Sequence, residues 1–154
     1  MREQFGVDGQ TVIVTGASQG IGRSIAERFA DDGADVVICS REQAKVDEVA
    51  EGINEADGGE CIPIETDVTE RDAVDALVET TVEEFGGVDT LVNNAGASFM
   101  TNFEAISENG WKTIVDINLH GTYNCTQSAG EVMREGDGGQ IINFSSVAGN
   151  DGAP

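Results

Sequence analysis

Thr11-Val12-Ile13-Val14-Thr15-Gly16-Ala17-Ser18-Gln19-Gly20-Ile21-Gly22 is the stretch that decides the fold of this chain. Its first five residues are mostly β-branched, which is typical of a buried parallel strand. A glycine-rich turn follows. After it, apolar residues recur at helical spacing, at positions 21, 25, 26 and 29. The stretch therefore predicts a strand, a tight turn and a helix, in that order.

The glycines of this turn indicate a ligand site. Gly16 permits a sharp turn off the strand, and Gly20 and Gly22 let the backbone approach a ligand closely. The N-terminus of the following helix directs unpaired N–H groups at whatever lies over the turn, and an anion such as a pyrophosphate suits that position. A tight connection that binds nothing is the alternative, which the strand–turn–helix context disfavours.

Length and charge narrow the class of protein. The chain has 154 residues, of which 39% are hydrophobic, so it is expected to form one globular domain over residues 1–154. Twenty-nine acids against 8 bases give a net charge of −21. This balance argues against nucleic-acid partners and against anionic membrane surfaces. It favours a salt-rich cytoplasm, as in halophiles, because salt screens self-repulsion; an ordinary acidic protein is the alternative.

Targeting and metal signals are not found in the sequence. The N-terminus lacks the apolar core of a signal peptide, and no apolar run is long enough to span a membrane. Cys39, Cys61 and Cys125 show no metal-ligand spacing and suit a reducing compartment. We therefore expect a cytoplasmic protein without a metal site.

Strand and helix patterns alternate along the rest of the chain. Apolar runs near residues 35–40, 61–66, 88–93 and 141–145 predict four further strands, and Pro63 suits an edge strand. Amphipathic helices are predicted between them, including a long one over about 107–134. The alternation predicts an α/β fold, a doubly wound parallel sheet of Rossmann type with about five strands. Ligands of such sheets bind at the carboxyl ends of the strands.

Asn93-Asn94-Ala95-Gly96, together with the glycine turn, resembles the short-chain dehydrogenase/reductase family over the whole chain. Asn118 and Ser146 match the family's active-site asparagine and serine, and the region around Ser146 is similar to 3-oxoacyl-carrier-protein reductases and sugar dehydrogenases. Either residue could instead play a structural role, and Asn94 could bond backbone beside the site. The resemblance implies that cofactor is bound by Thr15, Gly16, Ser18, Gln19, Gly20, Ile21, Gly22, Ser40, Arg41, Asp67, Val68, Asn94, Ala95 and Gly96.

The chemistry that the resemblance implies is hydride transfer between a nicotinamide and a small carbonyl or alcohol. The family's proton donor is a tyrosine with a lysine four residues later, shortly after the serine. Here the one tyrosine, Tyr123, lies upstream and is followed by Gln127. We therefore expect the 154 residues to be a piece of a longer enzyme, without its C-terminal strands and inactive alone. A truncated gene product stays open.

The second strand ends at Ser40-Arg41, where NAD-binding relatives of this fold carry an acid. A guanidinium binds a 2′-phosphate, which a carboxylate would repel. We therefore expect NADP(H) to be preferred and NAD(H) to be possible, because Glu42 is adjacent and Gln19 supplies no cation.

Two other functions stay open. One is a non-catalytic dinucleotide-binding module or assembly subunit. The other is a flavodoxin-like protein without nicotinamide, which residues 93–96 and Ser146 disfavour. The helix from Trp111 to Met133 resembles the family's subunit-contact helix, so the complete protein is expected to be a homodimer or homotetramer. His120 has no visible partner in the sequence and is expected to be surface or packing.

Overall fold

A single parallel sheet of five strands forms the centre of the computed structural model, which describes residues 6–99 and 101–147. All four strand pairings are parallel, and the strand order is β3-β2-β1-β4-β5. The order runs one way from β1 to β3 and the other way from β4 onward. The predicted Rossmann-type sheet is therefore confirmed. The strands are β1 (Thr11–Thr15), β2 (Asp35–Ser40), β3 (Cys61–Glu65), β4 (Thr90–Asn93) and β5 (Gln140–Asn143).

Helices connect the strands as the periodicity predicts. The apolar residues predicted for one face of the second helix, at positions 46, 49, 50 and 53, are all buried. Glycine ends the third helix, where Gly86 adopts a left-handed φ of 86°. The helices are α1 (Gly20–Asp31), α2 (Gln43–Asn54), α3 (Arg71–Phe85), α4 (Glu108–Val115) and α5 (Thr122–Glu135), with a 3-10 turn at Phe103–Ala105.

The two faces of the sheet carry separate cores because successive strand residues point to opposite faces. In β1, Val12 and Val14 pack with buried residues of α1 and α2. Ile13, between them, packs on the other face with buried residues of α3 and α5. Helices therefore cover both faces, and the carboxyl ends of the strands stay open at one edge.

The two edge strands differ. Pro63 lies in β3, which pairs only with β2 in the described sheet, so the missing N–H of proline costs no ladder bond on that outer side. On the opposite edge, β5 pairs with β4, and all four of its residues are exposed. Buried Asn93 donates to Asn143 Oδ1 at 2.8 Å and so ties the ends of β4 and β5 together.

The long helix predicted over 107–134 runs from Glu108 to Glu135 and contains an irregular turn. A π-helical turn, Asp116–Gly121, separates α4 from α5. In this turn each bond spans one residue more than in an α-helix. The buried Gly121 lies against Val68: a Cβ there would be 2.6 Å from Val68 Cγ2. The predicted long helix is therefore present, and its π-helical turn is a local departure that the apolar spacing did not predict.

Candidate functional site

A cleft of about 440 Å³ lies at the carboxyl edge of the sheet, where the strand order reverses between β1 and β4. This is the position at which open α/β sheets bind ligands. The cleft brings together most of the residues that the sequence predicted for cofactor binding. Those that line it are Gly16, Ser18, Gln19, Gly20, Ile21, Gly22, Ser40, Arg41, Asp67, Val68, Asn94, Ala95 and Gly96.

The glycine turn forms one wall, and two of its positions leave no room for a side chain. A Cβ on Gly16, whose φ is 65°, would lie 2.8 Å from Ala95 Cα. A Cβ on Gly22 would lie 2.4 Å from Asn94 Nδ2. Gly20 also has a positive φ, 57°, but faces open space. The first and last glycines therefore let the turn pack against the loop after β4, and the middle one permits the backbone conformation.

The N-terminus of α1 opens into this cleft. Gly20, Ile21 and Gly22 form the first turn of the helix, and no side chain of the preceding Gln19 caps it. The first N–H groups of a helix have no partner within it, and the helix dipole makes that end positive. This end of α1 can therefore hold an anion with backbone N–H groups.

Thr15 lies beneath the cleft and does not line it. Its buried Oγ1 accepts from the backbone N–H groups of Asn94 (3.2 Å) and Ala95 (3.0 Å), and it donates to Val92 O at 3.4 Å. In the other direction, the Asn94 side-chain amide donates to the carbonyls of Thr15 and Gly16, both at 3.0 Å. These bonds lock the glycine turn to the loop after β4.

The wall of the cleft that follows β2 contains two cationic residues and one acidic residue. Ser40 Oγ accepts from Glu42 N at 3.3 Å, and this short turn places Arg41 and Glu42 in the cleft wall. Lys45 lies there too, with its Nζ 2.6 Å from Glu42 Oε1. Within the described part of the chain, the Arg41 guanidinium pairs with no acid.

Asp67 and Val68 follow β3. Asp67 Oδ1 accepts from the backbone N–H of Thr69 at 2.9 Å and from its hydroxyl at 2.7 Å, so the carboxylate shapes its own turn. The buried Val68 is fixed through its carbonyl, which accepts from Asn124 Nδ2 at 3.0 Å. A rigid turn thus presents both residues to the cleft.

The two predicted catalytic residues lie outside the cleft lining. Asn118 is in the π-helical turn, and its amide clamps Ala97: Oδ1 accepts from the Ala97 N–H at 3.0 Å, and Nδ2 donates to the Ala97 carbonyl at 2.8 Å. Ser146 is exposed and follows β5 by three residues. The Asn118 side chain is therefore engaged with backbone, at the border of the cleft that Ala97 lines.

Sequence reasoning missed several wall residues, namely Cys39, Glu42, Lys45, Thr66, Ala97 and Ile117. Each lies within four residues of a predicted one, but the strand-end pattern does not single it out. Cys39 is no nucleophile here, because burial raises the pKa of its thiol to about 12 and keeps it protonated.

His120 does not line the cleft. Its Nδ1 lies 3.0 Å from Asp116 Oδ1, and the same carboxylate pairs with Lys112 Nζ at 2.6 Å. The hydrogen bond from Lys112 holds the pKa of Asp116 below its usual range. These three residues form a surface cluster on α4 and the π-helical turn, with Asp116 partly buried between the other two.

Two kinds of feature are not found over residues 6–99 and 101–147. No group of three or more His, Cys, Asp or Glu side chains is placed to hold a metal ion. None of the helices combines the length and apolar character needed to cross a bilayer.

A larger hollow of about 670 Å³ lies along the outer face of α1, lined mainly by apolar side chains such as Ile25 and Phe29. Its polar lining residues are Ser24, Arg28 and Asp32, of which Arg28 and Asp32 pair with each other at 2.8 Å.

The family model described as short chain dehydrogenase matches residues 10–154. A 3-oxoacyl-[acyl-carrier-protein] reductase of Synechocystis sp. is 37% identical over 145 residues, covering 94% of this chain and 59% of the relative. A reductase of the same name from Staphylococcus aureus is 39% identical over 146 residues, with the same coverage of 94% and 59%. The chain thus spans about 59% of the length of these curated relatives. The crystal structure of a short-chain type dehydrogenase/reductase from Mycobacterium marinum is similar, with a TM-score of 0.90 and 33% identity over 95% of this chain and 57% of that one.

Proposed function

Because the chain belongs to the short-chain dehydrogenase family, we propose that it is the cofactor-binding part of an oxidoreductase that interconverts a carbonyl and an alcohol by hydride transfer. The observation that carries the proposal is the cleft at the strand-order reversal, into which the N-terminus of α1 opens without a side-chain cap. The close packing of Gly16 and Gly22 on the loop after β4 sets the shape of this cleft. These features fit the pyrophosphate of a dinucleotide.

When bound, the nicotinamide cofactor supplies the hydride chemistry. The chain's own residues would bind and orient it: the α1 N-terminus would hold the pyrophosphate, and the Asp67–Val68 turn would contact the adenosine. The locked loop of Asn94 to Gly96 forms the floor between them. Ser146 is proposed to hydrogen-bond the substrate oxygen, and Asn118 to fix the loop at Ala97 beside the reacting end.

NADP(H) is the proposed cofactor, with NAD(H) as the weaker ligand. Arg41 lies in the cleft wall after β2 without an acidic partner in the described chain, although the sequence contains 29 acidic residues and only 8 basic ones. Such a guanidinium suits a 2′-phosphate. Titration of both cofactors by quenching of Trp111 fluorescence, or by calorimetry, tests the preference, and tighter binding of NADH would overturn it.

Catalysis needs a proton donor that the 154 residues do not supply. The only tyrosine, Tyr123, is exposed on α5 and has Gln127 rather than lysine four residues later. A general acid contributes roughly 10²- to 10⁴-fold, and substrate orientation adds a separate large factor. We therefore propose that this stretch binds cofactor but does not turn over alone.

The test compares the 154 residues with the chain extended by whatever follows them in the open reading frame. NADPH oxidation is measured with a panel of ketones and 3-oxoacyl thioesters, the class suggested by the reductase relatives. Turnover only in the extended chain supports the enzyme. Cofactor binding without turnover in both would favour a non-catalytic dinucleotide-binding module or assembly subunit. Equal turnover in both would contradict the proposal that catalysis needs a proton donor outside the 154 residues.

Assembly and location follow as further parts of the proposal. Trp111, Leu119 and Tyr123 are more than half exposed along α4, the π-helical turn and α5. Large apolar side chains in such a row favour a subunit contact, so the whole protein is proposed to be a homodimer or homotetramer. We propose a cytoplasmic location, with small carbonyl or alcohol substrates as its partners. Sedimentation of the extended chain in high salt tests the assembly, and a monomer at micromolar concentration contradicts it.

A further inference from the structure

Lys45 is a second cation in the cleft wall, at the end that carries Arg41. Its ammonium lies 2.6 Å from Glu42 Oε1, and the side chains of Lys45 and Glu42 are 54% and 64% exposed. All three residues line the same cleft. The sequence contains only one other lysine, Lys112, which lies outside that lining. Half of the lysines of this acidic chain therefore lie at the proposed cofactor site.

The position of Lys45 is not explained by the stability of its helix. It lies in the first turn of α2, which begins at Gln43, and a cation there opposes the positive end of the helix dipole. A carboxylate already satisfies the Gln43 N–H: Glu65 Oε2 accepts from it at 3.1 Å. Glu65, however, does not line the cleft. The cleft side of this helix end is therefore left with Arg41 and Lys45 as its cations and Glu42 as its acid.

We propose that the Lys45 ammonium contacts the 2′-phosphate of NADP(H) alongside the Arg41 guanidinium, and that Glu42 competes with the phosphate for Lys45. The inference rests on the proposed function and names a further specificity-determining residue for it. An exposed ion pair such as Glu42–Lys45 contributes little to stability, so Lys45 can exchange its partner readily. A phosphate with up to two negative charges is the stronger acceptor. Glu42 therefore lowers the affinity for NADP(H), and Lys45 raises it.

The experiment measures the dissociation constants of NADPH and NADH by fluorescence or calorimetric titration at one fixed salt concentration. It uses the chain and four variants: Lys45→Gln, Glu42→Gln, the double variant, and Lys112→Gln. The last is the matched control, since Lys112 forms the same kind of ion pair, 2.6 Å from Asp116, and its loss changes the net charge equally. Urea unfolding shows whether each variant is folded. All four are expected to fold, because the substituted side chains are exposed.

Lys45→Gln is expected to weaken NADPH binding by about tenfold, the size of one charge-assisted hydrogen bond, and to leave NADH unchanged. Glu42→Gln is expected to tighten NADPH binding, and Lys112→Gln to change neither constant. The double variant shows whether Lys45 contacts the phosphate or only neutralises the charge of Glu42. If Lys45 contacts the phosphate, the double variant should bind NADPH more weakly than Glu42→Gln alone. If the double variant and Glu42→Gln bind equally, or if Lys45→Gln matches Lys112→Gln, Lys45 does not contact the phosphate and the inference is overturned.

The same titrations distinguish this failure from failure of the proposed function. If the chain prefers NADPH and Lys45→Gln leaves that preference unchanged, only the role of Lys45 is refuted. An unmodified chain that prefers NADH refutes both the NADP(H) preference and the role of Lys45. A folded chain that binds neither cofactor refutes the dinucleotide site and this inference with it.

Discussion

Replacing Thr15 by valine removes one hydroxyl and keeps the shape of the side chain. In the structure this oxygen is the acceptor for the Asn94 and Ala95 N–H groups, at 3.2 and 3.0 Å, and the side chain is 1% exposed. A buried donor that loses its acceptor costs about 1–3 kcal/mol, and both residues are partly exposed, so water can compensate in part. We therefore expect Thr15→Val to lower the free energy of unfolding by about 2–4 kcal/mol.

The assay is urea unfolding followed by circular dichroism, with Thr15→Ser as the matched control. Serine keeps the acceptor and loses one buried methyl group, so a loss of about 1 kcal/mol is expected. NADPH binding should fall further in Thr15→Val than in Thr15→Ser, because the released loop forms the floor of the cleft. The reasoning is refuted if Thr15→Val lies within about 0.5 kcal/mol of the parent, or if Thr15→Ser is the less stable of the two.

Three further outcomes are expected. Gly22→Ala should abolish NADPH binding in a titration, since its Cβ would lie 2.4 Å from Asn94 Nδ2; Gly52→Ala, which has open space in α2, should leave binding intact and stabilise the helix by about 0.5–1 kcal/mol. Raising salt from about 0.1 to 2 M should raise the urea midpoint, because the net charge of −21 is then screened; a falling midpoint would contradict this. Burial raises the pKa of each cysteine thiol from 9.0 to about 12. Above about pH 9 the unfolded chain therefore releases thiol protons that the folded chain retains, and this favours unfolding. The free energy of unfolding should accordingly be unaffected by the thiols below about pH 9 and should fall as the pH rises toward about 12. Urea midpoints at about pH 8 and pH 10 should show this fall, and cysteine-to-serine variants should reduce it.

Residue pattern predicted the strands and most helices because burial in this fold follows simple periods. Ile13 and Val14 show how β-branched runs buried on both faces identify parallel strands. The boundaries differ by a few residues: the pattern predicts the fourth strand from Val88, but it begins at Thr90, because Val88 is buried in a core without joining the ladder. Local composition does not register where hydrogen-bonded pairing starts.

The site was predicted wherever a residue follows a strand end, because parallel strands end at a common edge. That rule located Arg41 and Asp67 in the cleft. It missed Lys45, whose position depends on a turn closed by the Ser40 hydroxyl and on the helix that follows. The structural alternative for Asn94 is confirmed by its bonds to the Thr15 and Gly16 carbonyls. Its cofactor role, like those of Ser146 and Asn118, stays a prediction.

Because of the π-helical turn, the number of residues between α4 and α5 itself determines where the side chains of the helix lie. An α-helix advances about 100° per residue, so one extra residue changes the rotation of α4 relative to α5. Removing one codon between 119 and 121 would preserve every neighbouring residue type and still rotate Asn118 away from Ala97, whose N–H and carbonyl it now bonds. A deletion there would act like a substitution at each upstream position of the helix at once.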